Sequence, residues 1–485
     1  MAWSLLSCSG STSDTLPTDS PSTPTGDTAV TTETTGTPPG ELPAPVFTVS
    51  EVVPTVVAGA FETEGAWSAW LEVDGPGGPW STPADTASTD HDLRLLGLKA
   101  GGSYQVRAVA DTGAGTLASA WVPLEVASAP AEIPSFEQVA FDPARTNQSR
   151  FFVMTYLLSQ PLAVIFDQDG DVVWWIREPT GRKWGALRPS LDGTAILSYA
   201  DGPMDTDDAI VRTPLGAMSA SERTTTPIGD GHHDFTELPG GRLAFLTHHY
   251  LGMPFPGPDP VPVKVGVIME IEEGALSSDD AVVRYDPTIH NAAAITPLCE
   301  HMLPEGGELF YDWDHTNSLM YDAADDTFVT NMRNVDQLLK IDRMTGAVLW
   351  RLGGPDSDYT ITAPGTWFDH GHFSQWGGDR FAMFSNELHH GASRAVVYEV
   401  DHVNHRVTPV VDLDEPNGAQ IPVLGDVDEL PNGNVLVSWG KSALLDELTP
   451  SGELVWRVTV GEDKNAPRLW YLGDLYDVAP TGPSR

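Results

Sequence analysis

The sequence predicts an all-β protein, a six-bladed β-propeller preceded by a small β-sandwich. Three observations carry that expectation. A strand-turn-strand unit recurs along most of the chain, short alternating strands fill an earlier segment, and no convincing helical periodicity separates the repeats. One form of the unit, "FDQDGDVVWWI" (166–176), "IDRMTGAVLWRL" (341–352) and "LTPSGELVWRV" (448–458), reads strand, polar turn with glycine, then a strand bearing Trp. A second form is a tight turn between two strands: "RPSLDGTAILSY" (188–199), "ELPGGRLAFLT" (237–247), "QWGGDRFAMFS" (375–385) and "ELPNGNVLVSW" (429–439). Together they make four-strand units at intervals of roughly fifty residues, the spacing of propeller blades. Six units are counted, and "LWYLGDLYDV" (469–478) is expected to supply the strand that closes the ring.

In chain order, residues 1–8 end in "SLLSC", which resembles the lipobox of a bacterial lipoprotein signal, truncated because the preceding residues are few and carry no basic group. Lipidation at Cys8 would place the protein outside the cytoplasm, at the periplasm or cell surface, touching the membrane only through that anchor. Residues 9–43 are rich in Ser, Thr and Pro, cannot bury a core, and read as a disordered stalk. Residues 44–130 alternate in short strands. There Leu98, the turn Lys99-Ala100-Gly101-Gly102 and the strand from Tyr104 suggest the corner of a fibronectin-like sandwich, a support without chemistry. Residues 131–485 hold the propeller repeats.

At 485 residues the chain is long enough for more than one core, and its 15 Trp are expected to fill blade interiors. The formal net charge of −42 argues against nucleic acid as a partner, which needs clustered Lys and Arg. An anionic substrate must then be caught by a local cationic pocket against the overall field. Two cysteines, Cys8 and Cys299, imply no disulfide framework. No other run approaches the ~20 apolar residues of a membrane span.

Aligned on the first turn of each blade, "HDFTELPGG" starts at His233, "HTNSLMYDA" at His315 and "HGHFSQWGG" at His370. The equivalent starts elsewhere are Gly185 and Gly425. The strand before this turn is the innermost of its blade, and its start borders the central channel. Three imidazoles are therefore expected to converge on one axial site. A lone blade-edge histidine usually satisfies local backbone groups; three at one repeat position point to a ligand. Asn317, two residues after His315, lies on the same face of an extended strand, to hold the imidazole or meet the ligand. Arg333 falls at the inner end of the next strand, and His232 is expected on the face opposite His233.

Two chemistries suit this set. Three histidines could hold zinc with an open position, although Arg333 would repel the ion. Alternatively one imidazole is a nucleophile while Arg333 and the other rings embrace an oxyanion, which suits a sulfate or phosphate ester.

The segments "HHDFTELPGG", "DWDHTNSLMYD" with "NMRNVDQLLKIDRMTGAVLWRLGG", and "DHGHFSQWGGDRFAMFSNELHHGASRAVVYEVD" resemble the bacterial arylsulfotransferase family, from about Ser135 onward. The resemblance implies a short N-terminal β domain before a six-bladed propeller. It also implies a sulfuryl group moved from an aryl sulfate to a phenol by a ping-pong route, with no metal and no other cofactor. His370 would be the transient sulfohistidine, while His233, His315 and Arg333 bind the sulfuryl oxygens with Asn317 in support and His232 second to them. Asp369 stands where relatives usually carry Gln, and either orients the imidazole or repels an anionic donor. The absence of a GxxxxGKS/T loop agrees with a donor that is not a nucleotide. The alternative from another class is a propeller that binds a ligand through the same funnel without turning it over, with "HHYLGMPFPGPDPVPVKVG" (248–266) as a lid or docking surface.

Overall fold

The computed structural model describes residues 40–147, 151–156, 162–178, 182–202, 208–254, 260–290, 302–305, 308–461, 466 and 468–476. Cys8, most of the Ser/Thr/Pro-rich stretch and Cys299 lie outside the described residues. No helix among the described residues is long and apolar enough to cross a membrane.

The protein is nearly all β, a six-bladed propeller preceded by a small sandwich. In the sandwich the strand Val57–Asp74 serves both faces. Its first half pairs with Val46–Val49 and Ser88–Leu95, its second with Ser103–Asp111. Alternation along Ser103–Asp111 sends Tyr104, Val106, Ala108 and Ala110 inward. The tyrosine corner forms as well: the Lys99 N–H donates to the Tyr104 hydroxyl at 2.7 Å.

Five blades begin a four-stranded meander with their own inner strand: Lys183–Pro189, Gly231–Leu238, Thr316–Asp322, Gly371–Trp376 and Asp426–Glu429. The remaining blade, Phe151–Tyr156 through Val172–Arg177, takes Leu469–Leu472 as its inner strand, paired Leu469 to Met154 through Leu472 to Phe151. On the neighbouring blade, Phe136–Phe141 adds an outer strand to Leu454–Val460. Segments from both sides of the repeat array therefore close one seam. Trp174, Trp313, Trp376, Trp439 and Trp456 are fully buried, as core packing requires. Within the 248–266 stretch, residues 248–254 and 260–266 are paired strand: Arg242–Pro254 runs antiparallel to Pro260–Glu272, from Arg242 opposite Glu272 to Pro254 opposite Pro260.

A buried charge cluster ties the ring across blades. Oδ1 of Asp234 accepts from Arg188 at 2.9 Å and from Arg468 at 2.8 Å, and Oδ2 accepts the Leu319 N–H at 2.8 Å. All three side chains are buried. The sandwich docks through Lys99, whose ammonium lies 2.9, 3.1 and 2.6 Å from Asp167, Asp169 and Asp171. Apolar contact backs this: Val53, Val56 and Leu96 join a core with Trp174, Ile196 and Trp470.

Candidate active site

His233, His315 and His370 share a left-handed backbone, with φ of 51°, 45° and 53°. That explains why His and Gly exchange at this repeat position, since Gly425 has φ 102° there. Gly185 has another cause: a Cβ would stand 2.4 Å from Cδ1 of Tyr199. Strained backbone under three non-glycine residues is what a site shows when it needs the side chains themselves.

Strand pairing refines the register. Thr247, Met332 and Ser385 are each the sixth residue of the second strand in their blade, and face Gly231, Thr316 and Gly371. His315 and His370 immediately precede that partner. His233 comes two residues after it, inside a bulge between His232 and Phe235. His315 and His370 are thus true equivalents, and each Nδ1 binds an aspartate, Asp312 and Asp369 respectively. The bulge also corrects His232, which does not turn away from its neighbour. Its Nδ1 lies 2.9 Å from His233 Nδ1, its Nε2 lies 3.0 Å from the Thr247 carbonyl oxygen, and its ring stacks on His248.

His233 and His315 meet edge to face, ring centroids 4.8 Å apart. Burial, then the charge of His315, Lys264 and Arg333, holds the His233 imidazole down at about 3. Arg333 follows the strand Thr327–Met332 and opens a single 3₁₀ turn, donating to Asn334 Oδ1 at 2.9 Å and the Pro422 carbonyl at 3.1 Å. One residue was missed by sequence reasoning. His372 is buried, and burial, then Arg333 and, more weakly, His315 and His233, keep it well below the usual imidazole range. Its Nδ1 lies 2.5 Å from Asn386 Oδ1. The Asn386 amide nitrogen already donates to the Ile421 and Leu424 carbonyls, so its oxygen must accept from His372. The signal was present in the second His of "HGHFSQW", two residues after the His that matches the repeat.

His370 is enclosed differently. The residue is 1% exposed, its backbone N–H donates to Asp336 Oδ1 at 2.7 Å, and its ring Nε2 is buried with no hydrogen bond among the described residues. Burial opposes ionisation of Asp369, but hydrogen bonds from His370 and from the His389 N–H pull its carboxyl down to about 2. The Asp369 carboxylate therefore faces the ring edge carrying Nδ1, consistent with an orienting role. Asn317 is corrected: its amide donates to the Gly371 carbonyl at 2.9 Å and accepts from Asn331 at 2.7 Å. It ties the inner strand Thr316–Asp322 to the backbone between His370 and His372 rather than meeting a ligand.

Beside this set, Asp314 is fully enclosed, and burial, then Asp312, pushes its carboxyl up to about 7. A pKa raised by folding contributes stability below the unfolded value near 4, and that contribution is lost as pH rises through 7. Asp314→Asn keeps one acceptor for the Gly266 N–H, now 3.0 Å away. The substitution is expected to be near neutral at pH 4 and increasingly stabilising up to pH 7, by up to about 1.4 kcal/mol per pH unit. Urea unfolding at several pH values checks this; a pH-independent difference would refute the assignment.

The sequence profile described as Arylsulfotransferase (ASST) matches residues 137–469. No curated protein matches the chain. Among solved structures, a protein of unknown function from Bacteroides caccae is similar at 10% identity and TM-score 0.38, over 64% of this chain and 94% of that one. A putative 6-phosphogluconolactonase from Bacteroides uniformis is similar at 11% identity and TM-score 0.40, over 66% and 98%. Kluyveromyces lactis Hsv2p is similar at 10% identity and TM-score 0.31, over 87% and 98%. The profile spans the repeats that carry His233, His315, Arg333 and His370, and by that match the chain belongs to the arylsulfotransferase family.

Proposed function

We propose that the protein moves a sulfuryl group from an aryl sulfate to a phenol by a ping-pong route through a sulfohistidine on His370. The observation that carries this reading is the state of His370. A carboxylate holds Nδ1, which fixes the proton there, and the opposite nitrogen is left with a buried lone pair that meets no hydrogen-bonding partner among the described residues. This is how an imidazole nucleophile is prepared. Nε2 attacks sulfur, the S–O bond to the aryl group breaks, and its electron pair leaves as phenolate, tolerable because phenols ionise near pH 10. A second phenol, giving up its proton, then takes the sulfuryl group and restores neutral His370.

Arg333 is the fixed cation of the pocket, and His233, His315 and His372 stand with it to balance charge on the sulfuryl oxygens. His233 and His372, held neutral first by burial and then by the positive charge around them, take up protons when an anion arrives, which adds positive charge to the pocket only when it is occupied. Tyr250 and Phe310 meet at 5.2 Å beside Lys264 and offer a platform for the aryl group. Arg333→Ala is expected to slow transfer by about 10²–10³, the usual cost of one oxyanion donor; steady-state rates with a chromogenic aryl sulfate measure it. The lipobox-like "SLLSC" supports work outside the cytoplasm on a tether at Cys8, testable by lipid labelling and its loss in Cys8→Ala.

The test of the whole reading is intact-protein mass spectrometry after brief mixing with an aryl sulfate and no acceptor, with peptide mapping under mildly alkaline conditions. A sulfuryl adduct on His370, discharged by added phenol, is expected. Saturable binding of aryl sulfates with neither adduct nor turnover would instead favour a binding module.

A further inference from the structure

We propose that Asp369, His370 and His389 form a binding site for a divalent transition-metal ion of the zinc type, and that the ion switches the nucleophile off. The second half rests on the sulfohistidine reading above; the binding site stands without it.

One ligand atom from each of these three residues lies within 4.8 Å of the other two. His389 Nδ1 is 3.1 and 3.2 Å from the two Asp369 oxygens, and the rings of His370 and His389 are 4.9 Å apart, centroid to centroid. Ligands held at about 2.0–2.2 Å around a tetrahedral ion stand roughly 3.3–3.6 Å from one another, so the three atoms need only small movements. Asp336 Oδ1, 3.6 Å from His370 Nδ1, is within reach as a fourth donor.

The site is built rather than accidental. Asp369 and His370 are buried, 4% and 1% exposed, and are held by the backbone N–H groups of His389 and by Asp336. The side chain of His389 is half-exposed and gives an ion its way in. Two imidazoles with one carboxylate and room for a further ligand is a donor set that zinc accepts and that magnesium and calcium do not prefer. The other such cluster among the described residues, the three carboxylates of Asp167, Asp169 and Asp171, already has its cation in Lys99. The net charge of −42 raises the local concentration of any dication.

The consequence for chemistry is a change of tautomer. In the metal-free site the His370 proton is on Nδ1, against Asp369, and Nε2 carries the lone pair. An ion taking Nδ1 as ligand displaces that proton, which moves to the only other ring nitrogen. Nε2 then carries N–H and has no lone pair for sulfur. No proton is lost overall and no bond to carbon changes.

The experiment is calorimetric titration of metal-stripped full-length protein with Zn²⁺ alone, paired with transfer rates over the same zinc range. One equivalent of zinc is expected to bind, transfer is expected to fall with the same midpoint, and EDTA is expected to restore it. His389→Ala, a change at a half-exposed position, should move both midpoints at least tenfold higher. No stoichiometric binding, or binding unchanged in His389→Ala, would overturn the site. Binding lost instead in His315→Ala would assign the ion to the channel histidines and overturn it equally. Binding at the site with undiminished transfer would overturn the switch. A protein with no transfer at all defeats the sulfohistidine reading, while the isotherms still decide the site.

Discussion

His370→Ala is expected to lower sulfuryl transfer by roughly 10⁴-fold or more, the scale seen when a covalent nucleophile is removed, and to abolish the adduct. The expectation follows from the asymmetry between two imidazoles only two residues apart. His370 has a carboxylate on Nδ1 and an unsatisfied buried Nε2. His372 has a neutral amide on Nδ1 and the field of Arg333 around it. A carboxylate stabilises the imidazolium that forms as sulfur is attacked; an amide oxygen does so less. His372→Ala should therefore cost about 10²–10³, like loss of an oxyanion contact, and leave the adduct detectable. Thermal melts of both variants separate chemistry from folding. A His370→Ala protein with full rate, and an adduct lost only in His372→Ala, would move the nucleophile to His372.

The largest effect on stability is expected from Asp234→Ala. Asp234 is the only carboxylate bonded to both buried guanidinium groups, Arg188 and Arg468, among the described residues. Its removal takes the shared carboxylate away from two buried guanidinium groups, a loss of about 3–5 kcal/mol. Urea unfolding monitored by Trp fluorescence measures it. Asp234→Asn should fall between the two, because it keeps an acceptor but not the charge. If Asp234→Ala loses less than about 1 kcal/mol, the cluster is not what holds the ring together.

Much of this architecture was legible because a propeller repeats its turns, and turns are written in local residues such as Gly240-Gly241 and Gly433. The ring-closing strand at Leu469 was legible for the same reason, as a strand pattern left without a blade. What resisted was whatever depends on distant partners. Nothing near Asp234 in sequence announces Arg468, 234 positions away. Bulges were equally hidden. They shift His233 by three residues against His315 and His370, and glycine spacing alone cannot report a bulge. The same blindness left His372 out of the candidate set and left Asn317 open between holding an imidazole and meeting a ligand. Their roles are set by Asn386 and by the Gly371 carbonyl, each on another strand.

The seam that closes the ring has a consequence for how the protein is made. Leu469–Leu472 is the inner strand of the first blade, and Arg468 beside it completes the charge cluster next to His233. Until a ribosome has delivered residues 468–472, the first blade lacks its inner edge and Asp234 lacks one of its cations. A nascent chain that has reached Val460 holds five blades that can meander locally, with the ring around the channel still open. Pairing across more than 300 residues then comes last and slowest, since distant contacts repay their loop closure only once made. On the mechanism proposed above, transfer through His370 would then begin only once Leu469–Leu472 has seated in the first blade.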